Sequence, residues 1–375
     1  MALSIVTSAA HGEEAAAEAE SSSVSFPELQ LFPSLPDDIG IQCLARTLRS
    51  IHPISSLVCK SWRSVLKSPI FFDTRSALNS TEHLIHLNIR TNANFNWFAL
   101  LDRQNPKSIY QLPPLPSNSL VGAAFAAIGS NIYVIGGSYG NVSSRNVWIF
   151  DCRFNSWESG PMMRIGREFA AAGVVDGKLY VMGGCLVDTW AKGTNWAEVF
   201  DPETQKWTAL WSPVEIRSKW MHASAVIDNK VYALADRGGI VYDPKAKSWE
   251  PVQMQLDLGW RGRASVIDNV LYCYDYLGKI RGFDMEDNAW KEVKGLDSGL
   301  PKFLSGATMA NRDGRLVVVW EGVRSARKVS EIWCAEIVVW KEDTNSELRG
   351  AIDWSDVVLS VPLGSSIVHC LSVRV

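Results

Sequence analysis

The sequence predicts an all-β ring, a propeller of about six four-stranded blades, preceded by a small all-α domain. Three observations predict it. An apolar run, a two-residue turn and a second apolar run recur five times after residue 117. In four of those units an aromatic–Asp pair is followed by Trp, six residues after the Asp. Residues 31–75 instead carry apolar side chains at helical spacing, punctuated by prolines.

Residues 1–30 are rich in Ala, Glu and Ser, with Glu13, Glu14, Glu18, Glu20 and Glu28 and no Lys or Arg. A secretory signal starts basic, and an organelle transit peptide is basic and poor in acid, so this stretch reads as a disordered acidic tail. The expected location is the cytosol or nucleus. The whole chain is 47% hydrophobic and 21% charged with a net charge of −3, which argues against a nucleic-acid binder. No apolar run is long enough for a membrane-spanning helix, so no membrane partner is expected. Seven cysteines, an odd number without a CxxC pair, read as thiols in a reducing compartment.

The helical stretch opens at Leu35-Pro36-Asp37-Asp38, where Pro36 presets φ and the two acids face the positive end of the helix dipole. Ile39, Cys43, Leu44 and Leu48 make one apolar stripe. His52-Pro53 is expected to break this helix. A second helix carries Leu57, Val58, Trp62, Val65 and Leu66 on one side, with Lys60, Arg63 and Lys67 between them and Pro69 at its end. About 40 residues is near the lower limit for independent folding, so part of the apolar face is expected to await a partner. Leu35-Pro36-Asp37-Asp38, Val58-Cys59-Lys60-Ser61-Trp62-Arg63 and Ser68-Pro69-Ile70-Phe71, in that order, resemble the F-box. The resemblance implies a Skp-type adaptor as partner, bound through Leu35, Pro36, Ile39, Leu44, Val58 and Trp62.

Residues 76–375 read as the ring. Its repeating hairpins turn at Gly129, Asp176-Gly177, Asp228-Asn229, Asp268-Asn269 and Asp313-Gly314. Asp-Gly and Asp-Asn tolerate the positive φ of a type I′ turn, which twists with its strands. A second hairpin follows in each unit: Phe150-Asp151 leads to Trp157, Phe200-Asp201 to Trp207, Tyr242-Asp243 to Trp249 and Phe283-Asp284 to Trp290. Two hairpins make a four-stranded blade, and those tryptophans read as blade core. The fifth unit lacks the pattern, and Trp354, after a polar loop at Lys341–Arg349, is taken as its Trp. Residues 83–116 read as a blade without its first strand, and Ser366–Val375 as a strand without a blade. Joining them closes the ring and removes two sheet edges. The units resemble kelch repeats through the double glycines Gly136-Gly137 and Gly183-Gly184, the Tyr and the Trp. Later units replace the glycines with Ala235-Asp236, Asp275-Tyr276 and Trp320-Glu321.

No HExxH, GxSxG or P-loop occurs, and no cofactor or catalytic set is expected. His83 and His86, three apart on a strand, face opposite sides and do not form a chelating pair. Tyr272-Cys273 is similar to a feature of copper oxidases built on kelch-type propellers, but no histidine pair accompanies it. Basic residues recur ahead of the innermost strands: Arg164, Arg167, Arg217, Lys219, Arg261, Arg263 and Lys302, with Trp220 and Trp260 among them. Loops before those strands converge on one face, and Arg with Trp is a mixture that binding surfaces favour. The competing reading is solvated charge and aromatics packed between blades.

Taken whole, the chain resembles an F-box/kelch-repeat protein. The resemblance implies a non-catalytic substrate adaptor of a cullin–RING ubiquitin ligase, with the propeller holding the target; the recurring basic residues ahead of the innermost strands lead to the expectation that this target presents an acidic or phosphorylated segment. A scaffold that binds without leading to degradation, and a propeller enzyme, are the other two classes weighed.

Overall fold

The computed structural model describes residues 31–375 apart from 93, 102–108, 118–120, 141, 186–194, 237, 276–277, 325–328 and 344. The acidic tail lies outside the described residues.

Four short helices come first: α1 Asp37–Ala45, α2 His52–Ser55, α3 Lys60–Val65 and α4 Pro69–Ala77. The expected two-helix reading is corrected by the prolines. Pro53 and Pro69 sit in the first turns of α2 and α4, where a missing N–H costs nothing, so each starts a helix. Leu57 and Val58 consequently fall in the turn before α3, which is capped by Cys59 Sγ accepting from the Trp62 N–H at 3.4 Å.

Six antiparallel four-stranded sheets follow. The first begins with β1 His83–Thr91, β2 Asn94–Leu100 and β3 Ile109–Gln111. The second holds β4 Ala124–Ile128, β5 Asn131–Ile135, β8 Val147–Asp151 and β9 Ser156–Ser159, with a small hairpin, β6 Ser138–Tyr139 and β7 Val142–Ser143, inserted between its middle strands. The third is β10 Ala171–Val175, β11 Lys178–Met182, β12 Ala197–Asp201 and β13 Lys206–Leu210. The fourth is β14 Met221–Ile227, β15 Lys230–Ala235, β16 Ile240–Asp243 and β17 Ser248–Pro251, followed by α5 Met254–Gly259. The fifth is β18 Ala264–Ile267, β19 Val270–Tyr274, β20 Ile280–Asp284 and β21 Ala289–Glu292. The sixth is β22 Ser305–Arg312, β23 Arg315–Arg324, β24 Val329–Lys341 and β25 Leu348–Pro362. The last strand, β26 Ser366–Arg374, pairs antiparallel with β1 as the innermost strand of the first sheet. The chain is a six-bladed propeller preceded by a helical segment.

The turn chemistry is seen directly. Asp176, Gly177, Asp228, Asn229, Asp268, Asn269, Asp313 and Gly314 all have φ between 47° and 75°. The aromatic–Asp–Trp spacing is a cross-strand pair. Phe150, Phe200, Tyr242 and Phe283 lie opposite Trp157, Trp207, Trp249 and Trp290, with ring centroids 4.5 to 5.3 Å apart. The Asp Oδ1 of each pair accepts backbone N–H bonds inside the turn, as from Arg153 at 2.8 Å and Lys245 at 2.9 Å. Each Trp Nε1 donates to a carbonyl in the segment leading into its own blade: Pro113, Pro161, Trp211 and, within α5, Gln255, at 2.8 to 2.9 Å.

The last blade is the exception. Leu316 pairs with Ile337 and Ile337 with Ile352, so Ile352 holds the position expected for Trp354. Trp354 lies opposite Glu336 and donates to its Oε2 at 3.2 Å, because register, not residue type, sets which side chain faces the blade core.

Candidate functional site

The topology gives the molecule two working faces. Every inner strand starts at one end of the ring and finishes at the other. The helical segment sits at the finishing end. Glu82 and Val375 exchange backbone hydrogen bonds at 2.9 Å, and Arg49 Nη2 donates to the carbonyls of Cys152 and Arg153 at 3.2 and 2.7 Å. The Phe72 ring meets Phe154 edge-on at 5.2 Å. Leu44, Val65, Phe71 and Phe72 share one core with Leu84, Trp97, Ile132 and Phe150 of the first two blades.

Elsewhere the helical surface mixes charged residues, among them Arg46, Lys60, Arg63 and Lys67, with large exposed apolar side chains. Of the six residues expected to bind an adaptor, Leu35, Pro36, Ile39 and Val58 are exposed. Leu44 and Trp62 are not. Leu44 is core, and the half-buried Trp62 packs on Phe32 and donates from Nε1 to the Leu31 carbonyl at 2.9 Å. Sequence reasoning missed Ile51, Ile54 and Ile70, which are exposed as well, with Ile54 71% and Leu57 73% exposed.

The other face is built by the loops leading into the inner strands. It carries exposed Met162, Phe169, Trp211, Trp220, Met254 and Phe303. Arg164 is exposed, with Nε donating to Asn195 Oδ1 at 2.7 Å. Lys219 donates to the Gly238 carbonyl at 2.9 Å, and the Trp220 N–H to Asp236 Oδ1 at 3.0 Å. Arg261 donates to the Trp260 carbonyl at 2.9 Å, and Lys302 stands 5.8 Å from the Phe303 ring.

Three residues expected here are structural. Arg167 is fully buried, paired with buried Glu198 at 2.8 Å and donating to the carbonyls of Gly183 and Trp196 at 2.6 and 2.7 Å. The double glycines admit it: a Cβ on Gly136 would fall 2.4 Å from the Arg167 carbonyl oxygen. Arg217 is buried and donates to the Ser212 carbonyl at 2.7 Å. Trp260 is fully buried in the core between the fourth and fifth blades, its Nε1 donating to the Gly262 carbonyl at 2.9 Å. An acid at a strand position among apolar residues, as Glu198 is, was the one sequence sign of a buried arginine.

Arg263 lines the central channel, which is formed by the inner strands β26, β4, β10, β14, β18 and β22. Burial pushes the Cys273 thiol up to about 11 and that of Cys370 up to about 12, so neither is a ready thiolate. Among the described residues no group of three His, Cys, Asp or Glu is placed to hold a metal ion.

Residues 32–74 match the F-box domain, and residues 97–359 match the family described as FKB95, Kelch-repeats domain. The F-box/kelch-repeat protein At4g39550 of Arabidopsis thaliana is 36% identical over 371 residues, covering 91% of this chain and 93% of the relative. At4g39580 of the same plant, also an F-box/kelch-repeat protein, is 35% identical over 381 residues, covering 97% of this chain and 99% of the relative.

Proposed function

The chain belongs to the F-box/kelch-repeat family, and on that basis we propose that it is the substrate-recruiting subunit of an SCF-type ubiquitin ligase. The F-box binds a Skp-type adaptor and through it a cullin–RING module. The propeller holds the target by the face opposite the F-box. The chain does no bond chemistry; it works in the cytosol or nucleus by holding a target lysine near a charged ubiquitin-conjugating enzyme, which raises effective concentration.

One observation carries the reading. The F-box is packed into the propeller through Leu44, Val65, Phe71 and Phe72, while Leu35, Ile39, Ile51, Ile54, Leu57, Val58 and Ile70 stay exposed. A helical segment that merely completed the propeller core would have no reason to leave so many large apolar side chains in water. The target's acidic or phosphorylated character is supported by exposed Arg164, Lys302 and Trp220 in the loops leading into the inner strands, residue types suited to gripping carboxylate or phosphate.

The test is capture of a recombinant Skp-type adaptor by the full chain. Leu35→Ala with Pro36→Ala, and separately Ile54→Asp with Leu57→Asp, are expected to weaken capture by at least about tenfold with an unchanged melting curve. Arg164→Glu with Arg261→Glu is expected to leave adaptor capture intact and change the set of captured targets. Full capture by both F-box variants would overturn the reading.

A further inference from the structure

We propose that the central channel of the propeller binds a small organic anion, a carboxylate or phosphate carried on an apolar body. The channel has a volume of about 750 Å³, within the range of small-molecule sites. Its charge is one-sided. Arg90 and Arg263 line it and, among the described residues, no Asp or Glu does. The chain as a whole has 40 acidic residues against 37 Lys and Arg, so this is not its average character.

The fold brings the two arginines together. Arg90 stands opposite Ser366 in the β1–β26 ladder. Arg263, just before β18, donates from Nη1 to the Ile367 carbonyl on β26 at 3.4 Å. Both β18 and β26 flank β22 in the ring, so Arg263 reaches across the start of β22. Arg263 stays open to the channel, desolvation by the surrounding strands lowers its pKa, and no carboxylate is among the groups that raise it. His369, pulled down to about 3 by burial and by Arg263, adds no charge, and its ring stacks on Phe125 at 4.9 Å. In the same wall the buried Thr308 keeps an Oγ1 without a hydrogen-bond partner among the described residues.

The mouth holds a strained aromatic. Phe169 has φ +54°, a region that bulky side chains avoid, and is half exposed. Its N–H donates to the Gly122 carbonyl at 2.6 Å, and its ring covers Gly122, where a Cβ would fall 2.9 Å away. Such strain persists only where the surroundings impose it, and it gathers at ligand clamps. Phe169, Phe125 and Phe95 supply apolar wall and the arginines supply charge, so a bare ion would use half of the site. The proposal does not depend on the target surface, whose Arg164 and Lys302 lie outside the channel lining.

Isothermal titration of the full chain with benzoate, inorganic phosphate and benzyl alcohol at fixed ionic strength tests it. Benzoate is expected to bind and the neutral alcohol not. Arg90→Gln with Arg263→Gln is expected to weaken benzoate by at least about tenfold. Arg90→Gln alone, an exposed change, is expected to weaken it several-fold and guards against misfolding of the double variant. Phe169→Ala is expected to weaken benzoate more than phosphate. Absence of benzoate binding, or equal binding by the arginine variants, would overturn the proposal. So would a response to phosphate without benzoate, which marks an adventitious ion only, or to an oligoglutamate peptide without benzoate, which assigns the arginines to a protein target.

Discussion

Glu82 Oε2 accepts from Arg75 Nη2 at 2.8 Å and from the Arg49 backbone N–H at 2.7 Å. Arg75 is fully buried and also donates to the carbonyls of Ala45 and Thr47 at 3.0 and 2.6 Å. One carboxylate therefore ties the end of α4 and the turn before α2 to the residue whose backbone pairs with Val375. The F-box orientation relative to the ring is set by this junction rather than by a flexible linker.

Glu82→Ala is expected to destabilise the chain by about 3 kcal/mol, the low end for breaking a buried pair, because Glu82 is 24% exposed. Urea unfolding checks this, and limited proteolysis should then cleave first between the F-box and β1. Retained stability with an unchanged cleavage pattern would show that apolar packing alone makes the junction.

Removal of 366–375 deletes the innermost strand of the first blade, leaving β1 with an open edge and Ile367, Cys370 and Val373 missing from their cores. Aggregation or loss of a single cooperative melt is expected. A truncated chain that melts as the full one does would mean that ring closure contributes little.

Trp207 separates packing from hydrogen bonding. Trp207→Phe keeps an aromatic opposite Phe200 but loses the bond to the Pro161 carbonyl, with an expected cost of about 1 kcal/mol. Trp207→Ala also opens a cavity, and its expected cost is about 3–5 kcal/mol. Denaturant midpoints of the two variants should be clearly separated; equal values would place the energy in the hydrogen bond.

Acid should destabilise the chain through buried histidines. Burial, the largest cause, pulls His52 from 6.5 down to about 3 and His86 from 6.5 to about 4. Both are neutral when folded and gain protons when unfolded below pH 6.5. Their contribution is thus whole above pH 6.5 and is lost as pH falls toward 4. The melting midpoint is expected to drop across that window, and His86→Gln to make the drop shallower. A pH-independent midpoint there would contradict the burial argument.

The sequence by itself determined the ring and its blades, because those rest on local physics. Asp-Gly and Asp-Asn carry their turn type wherever they stand, and an aromatic and a Trp astride a short turn meet across two strands. The F-box start was legible for the same reason, since Pro36, Asp37 and Asp38 act within one helical turn. Tertiary structure alone decided which arginines are available. Arg167 and Arg261 look alike in sequence, yet Arg167 finds Glu198, 31 residues away, and disappears into the core. Arg49 meets Arg153 across 104 residues, and Arg263 meets Ile367 across the same separation. Whether a charged side chain is buried depends on the partner that ring closure brings to it, and single-chain spacing does not encode that partner.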